Sequence, residues 1–146
     1  MRSSRLLVAV ALAAAVPAFA ALGSAPTSPP PSASPATAQQ AVTAAGAAYT
    51  HLQRQLDTGT VVHEFVDAGG TVFAVAWSGP FLPDLRELLG ASFPALQESA
   101  AHGRTSALSI NRPDLVLVSA GHMRAFEGRA WLPTSLPAGF DPRQIP

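Results

Sequence analysis

The sequence predicts an α+β fold, one kinked helix packed on an antiparallel β-meander sheet, in the order β-β-β-α-β-β-β. Three observations carry that prediction. Two Asp/Gly turns, "DTGT" (57–60) and "DAGG" (67–70), separate runs rich in β-branched and aromatic residues. After Pro83 and Asp84, the residues Leu85, Leu88, Leu89 and Phe93 recur at helical spacing. Three further short β-prone runs then follow, divided by "NRPD" and "SAG".

The elements follow in chain order. Residues 1–20 read as a secretory signal peptide: Arg2 and Arg5 form a basic start, 6–16 is apolar, and "AFA" (18–20) is a small-x-small cleavage pattern. Cleavage is expected after Ala20, and the protein is expected to be exported, either periplasmic or secreted. No later run is apolar for long enough to span a bilayer, so no transmembrane span is expected in the mature chain. Residues 21–48 read as a Pro/Ala-rich disordered tether, because "ALGSAPTSPPPSASPA" holds five prolines and too little apolar surface to offset ordering.

A compact α+β domain is expected over 49–146. Tyr49, Leu52 and Leu56 fit a helical stripe with Val42, and Leu52, Arg54 and Leu56 also fit a strand face. The turn after them favours the strand, which makes a three-strand meander with "VVHEFV" and "TVFAVAW". Two-residue loops would place Leu52, Leu56, Val61, His63, Phe65, Val72, Ala74 and Ala76 on one face. Val62, Glu64, Val66, Phe73, Val75 and Trp77 would then occupy the other. Both faces are largely apolar, so each needs a cover. The helix is expected from Pro83 to about Ala101, kinked or split at Gly90 and Pro94. Strands are expected over 106–110, 115–119 and 122–132, with a loose Pro-rich tail after them.

Composition narrows the function classes. Nine basic residues balance nine acidic ones, and without Arg2 and Arg5 the formal charge falls to about −2. A nucleic-acid footprint needs clustered positive charge, so no nucleic acid is expected as partner. There is no cysteine, hence no disulfide and no lipidated cysteine. His51, His63, His102 and His122 form neither H-x-H nor H-x-x-x-H, so no metal site and no cofactor is expected.

Ser78, in "AWSGP", sits where a strand turns into a helix, the position of a nucleophile elbow. The motif is not G-x-S-x-G, Trp77 is bulky, and Pro80 removes a backbone donor near any oxyanion hole, so the tight spelling reads as topology. His63 and Glu64 are adjacent and point to opposite faces; the assumed register places His63 opposite Arg54, which would lower its pKa. Asp84 and Glu87 suit the helix dipole. Glu127 and Arg129 read as a surface ion pair worth under about 1 kcal/mol. His122 and Arg124, spaced i and i+2 with Phe126 beyond them, are the candidate anion-binding set. Trp77 and Trp131, if adjacent and exposed, would add an aromatic binding patch.

"ALGSAP", "GTVVHEFV", "TVFAVAWSGPFLPDLRELLG" and "GHMRAFEGRAWLP" together resemble an exported bacterial family called domain of unknown function 2844. The resemblance covers most of the chain after the leader and implies export and small size, with no activity, cofactor, partner or catalytic residue. The chain departs from the family pattern at Ser24, where a second glycine is usual, and at His63, where arginine is common. The expectation is a non-catalytic envelope-associated binding or structural module, with an envelope protein or cell-envelope polymer as partner. A small exported hydrolase using Ser78 or His122 is the alternative.

Overall fold

A hairpin loop recurs three times in the first half of the chain, and it sets the register of everything beside it. Thr43 donates to the Ala47 carbonyl while Gly46 donates to the Thr43 carbonyl; Leu56/Thr60 with Gly59, and Asp67/Thr71 with Gly70, repeat the pattern. Each loop is a turn closed by a glycine in the left-handed region, with φ of 82°, 86° and 83° in order. Only glycine adopts that conformation freely, so the glycines fix loops of three residues. The computed structural model describes residues 22–26, 34–102 and 107–146. The expected signal peptide lies outside the described residues.

The loops connect β1 (Thr37–Val42), β2 (Ala48–Gln55), β3 (Val61–Asp67) and β4 (Val72–Gly79). Helix α1 (Leu85–Leu89), a 3-10 turn at Gly90–Ser92 and α2 (Phe93–His102) follow. Then come β5 (Ala107–Asn111), β6 (Val116–His122) and β7 (Ala125–Trp131). All seven strands form one sheet in the order β1-β2-β3-β4-β7-β6-β5, every pair antiparallel. The helical segment carries the chain from β4 to the far edge, and β6 and β7 bring it back against β4. Asp84 caps α1 by accepting from Arg86 and Glu87 backbone N–H groups at 2.9 and 3.1 Å. Gly90, at φ 48°, breaks the helix where the sequence predicts a kink.

Four strands precede the helix rather than three. The additional one, β1, lies inside the stretch read as tether. "TAQQAV" has little strand propensity and no buried residue, so its pairing with β2 rests on backbone hydrogen bonds that sequence pattern does not register. Tyr49–Leu56 resolves as strand, in β2. The tether reading also gives way at Leu22, which is 2 % exposed and lies in the core. Its N–H donates to Leu88 of α1, and Gly23 and Ser24 exchange hydrogen bonds with Val72 of β4. The strap therefore fastens the helix to the sheet.

The three-residue loops overturn the expected faces. Leu52 lies opposite Glu64 and Arg54 opposite Val62, so Leu52 and Leu56 join Val62, Val75 and Trp77 beneath the helices. A bulge at Phe73, between the pairs Phe65/Ala74 and Val66/Val72, puts Phe73 and Ala74 on the same face. It cancels the offset of the preceding loop, which is why Ala74 and Ala76 do share a face with Phe65 as expected. Arg54 consequently meets Glu64, at 3.4 Å and almost fully buried, and not His63.

Each face of the sheet has its own cover. Leu88, Leu89 and Leu96 of the helices pack with Leu22, Val62, Val75, Trp77, Ile110 and Leu117 on one side. On the other, Phe140 and Ile145 of the C-terminal tail pack with Phe65, Phe73, Ala74 and Ala76. Phe140 meets Phe73 and Tyr49 edge-on at 4.8 and 5.3 Å between ring centroids. Thr43 Oγ1 donates to the Ala138 carbonyl, and Arg129 Nη1 donates to the Ile145 carbonyl at 3.1 Å. The tail is thus a fitted lid, not a loose end.

Candidate functional site

The end of the sheet where β4, β6 and β7 run out is shaped by close backbone approaches. A Cβ on Gly79 would lie 2.5 Å from Thr60 Cα, so only glycine lets β4 pass there. Thr60 Oγ1 donates to the Phe81 carbonyl at 2.6 Å and fixes the chain as it leaves the sheet. These contacts account for the tight spelling of "SGPF" without chemistry. On the neighbouring hairpin, β6 and β7 are joined by Met123 and Arg124 at φ 28° and 68°. The expected turn at "SAG" instead lies within β6. Gly121 stays in the strand because the Phe126 ring occupies the place of its side chain, 2.4 Å from where a Cβ would sit.

Between these segments lies an open cleft of about 650 Å³. Ser78, Pro80, His122, Arg124, Phe126 and Glu127 line it. The predicted trio His122, Arg124 and Phe126 does meet here, for a different reason from the one the sequence suggests. Arg124 is a turn residue, His122 lies opposite Ala125, and Phe126 lies opposite Gly79 and Gly121. Strand alternation sends His122 and Phe126 to opposite faces, and the end of the sheet brings them together. Arg124 stacks over Phe81 at 5.9 Å and forms no ion pair among the described residues. Phe81, Leu82 and Met123, on the loops at this end, are 47 %, 48 % and 85 % exposed.

The tryptophans do not form a shared patch. Trp77 is 1 % exposed beneath the helices and lies over Gly128, whose missing side chain gives the indole its space. Trp131 packs on the opposite face beside the tail. Ser78 and His122 line one cleft, yet no hydrogen bond joins them among the described residues. Asp84 is committed to its cap. Glu127 and Arg129 share a face but form no ion pair among the described residues, and Arg129 holds the tail instead.

A pairing that the assumed loops concealed lies on β2 and β3. His51 Nε2 and His63 Nδ1 are 2.9 Å apart, and His51 stacks on Phe65 at 4.6 Å. Burial pushes both imidazoles below their ordinary 6.5, and the neighbouring His51 lowers His63 further. Because the folded chain resists protonation there and the unfolded chain does not, stability is complete above 6.5 and falls as pH drops through the lowered folded values. Urea unfolding above and below that point is expected to show this loss, and His63→Gln to reduce it. An equal acid loss in the variant would disprove the assignment.

The family described as "Protein of unknown function (DUF2844)" matches residues 18–145. The chain belongs to the DUF2844 family. Nothing matches it among curated proteins, and nothing matches it among solved structures. In this DUF2844 chain the "ALGSAP" segment, which the resemblance rests on, has a structural purpose in the buried Leu22. The block "TVFAVAWSGPFLPDLRELLG" builds β4, the Thr60 contact and α1.

Proposed function

We propose that this DUF2844 protein is a non-catalytic binding module of the exported space, and that the cleft between β4 and the β6–β7 hairpin is its binding site. The proposal stands apart from the second sheet face, which the tail closes. It rests on one coincidence: a cation without a carboxylate partner among the described residues lines the cleft and lies over the exposed ring of Phe81, with exposed Met123 next to it in the chain. Two successive non-glycine residues at positive φ cost free energy, of the kind concentrated at functional sites.

The lining suits an acidic sugar unit of an envelope polymer. Arg124 and His122 would hold its carboxylate, Glu127 would accept from its hydroxyls, and Phe126 and Pro80 would take its apolar face. Co-sedimentation of the wild type and the Arg124→Ala/His122→Ala variant with cell-wall and lipopolysaccharide fractions tests this. The variant is expected to lose at least about tenfold in affinity, as for a lost charged hydrogen bond of 1.5–3 kcal/mol. Unchanged sedimentation would sink the proposal. The shared cleft of Ser78 and His122 is the one observation favouring a small hydrolase. A fluorophosphonate probe that labels the wild type and not Ser78→Ala would establish that alternative instead.

A further inference from the structure

The His51–His63 pair lies away from the cleft and has no part in the binding proposed for it. One proton serves the two facing nitrogens, since one must donate and the other accept across 2.9 Å. The His51 ring lies parallel to Phe65, tilted by 7°, and His63 lies edge to edge with it, 17° from coplanar and 5.1 Å between centroids. Both rings are therefore held, half-buried, with their in-plane nitrogens facing each other. Gln39 stands opposite His51 and Gln53 opposite His63, and both glutamines are exposed.

We propose that His51 and His63 form a two-imidazole chelate for a divalent transition-metal ion, Cu(II) above Zn(II), the ion replacing the proton between Nε2 and Nδ1. Metal–imidazole bonds of about 2.0–2.1 Å separate two nitrogens by about 2.9 Å at the right angle of a tetragonal Cu(II) site and by about 3.3 Å at the tetrahedral angle of Zn(II). The observed 2.9 Å lies within about 0.4 Å of both separations, and a swing of each ring turns the facing nitrogens toward one ion. Imidazole nitrogen suits copper and zinc, and copper binds more tightly at a given site of this type. No group of three or more His, Cys, Asp or Glu side chains placed to hold a metal occurs among the described residues. Water and the flanking glutamine amides are left to complete the coordination, which makes this an exchangeable site and not a structural one.

Calorimetric titration of the full mature chain with Cu(II) at neutral pH is the test. The wild type is expected to take up one equivalent; His51→Gln and His63→Gln are each expected to lose that step, and His122→Gln to keep it. Nitrogen-15 spectra of the wild-type imidazoles give a readout independent of any variant's folding. Substoichiometric Cu(II) should broaden or shift Nε2 of His51 and Nδ1 of His63 before the other histidine nitrogens. No equivalent in the wild type, equal uptake by both Gln variants, or first perturbation at another histidine would each overturn the proposal.

Discussion

Leu22→Ala is expected to lower folding stability by about 2–5 kcal/mol, the range for removing a buried leucine that leaves a partly collapsed cavity. Sequence composition alone assigns this residue to a tether, where the same change would cost almost nothing. The side chain is instead 2 % exposed among the leucines and valines beneath the helices. Its backbone also ties α1 to β4, so loss of the side chain loosens the hydrogen bonds from Leu22 to Leu88 and from Gly23 to Val72. Urea unfolding of the mature chain measures the effect. Leu22→Met, which keeps the volume, should cost less than about 1.5 kcal/mol. A midpoint for Leu22→Ala equal to the wild type would show that the strap does not hold the helix.

Phe140→Ala is expected to cost about 3–5 kcal/mol and to make the protein self-associate. The ring contacts Tyr49, Phe65 and Phe73, and its loss uncovers the most apolar part of the second face. Denaturant unfolding gives the energy, and light scattering with a dye that binds apolar surface gives the exposure. The wild type should scatter as a monomer without dye binding, and the variant should bind dye and form larger species. Should both remain monomeric and dye-negative, the tail is not the cover described here.

The strands and helices rich in patterned residues were legible in advance. Val61–Asp67, Val72–Gly79 and the split helix after Asp84 follow from β-branched runs, a capping aspartate and leucine spacing. Register was not, because it depended on one loop residue: "DTGT" admits a two- or a three-residue loop, and the choice inverts every side chain of β2. That choice hid both the Arg54–Glu64 ion pair and the His51–His63 contact. The turn at Met123 and Arg124 was hidden differently. Neither residue favours positive φ, whereas Gly121 advertises a turn and is used to admit Phe126. Of the candidate site, His122, Arg124 and Phe126 were singled out by their spacing on one strand face, which the turn at Met123 and Arg124 breaks. The exposure of Phe81 and Leu82 beside them comes from the Thr60 contact, which has no local signature.

Leu22 and Ile145 are anchored on opposite sides of one β-layer, Leu22 under the helices and Ile145 as part of the lid. Closure of the aromatic side therefore waits for residues 138–145, and the link from Thr43 to Ala138 spans 95 positions. The anchoring also means that a reporter fused close to either residue presses on the interior, so labelling is best placed at the exposed loops between strands.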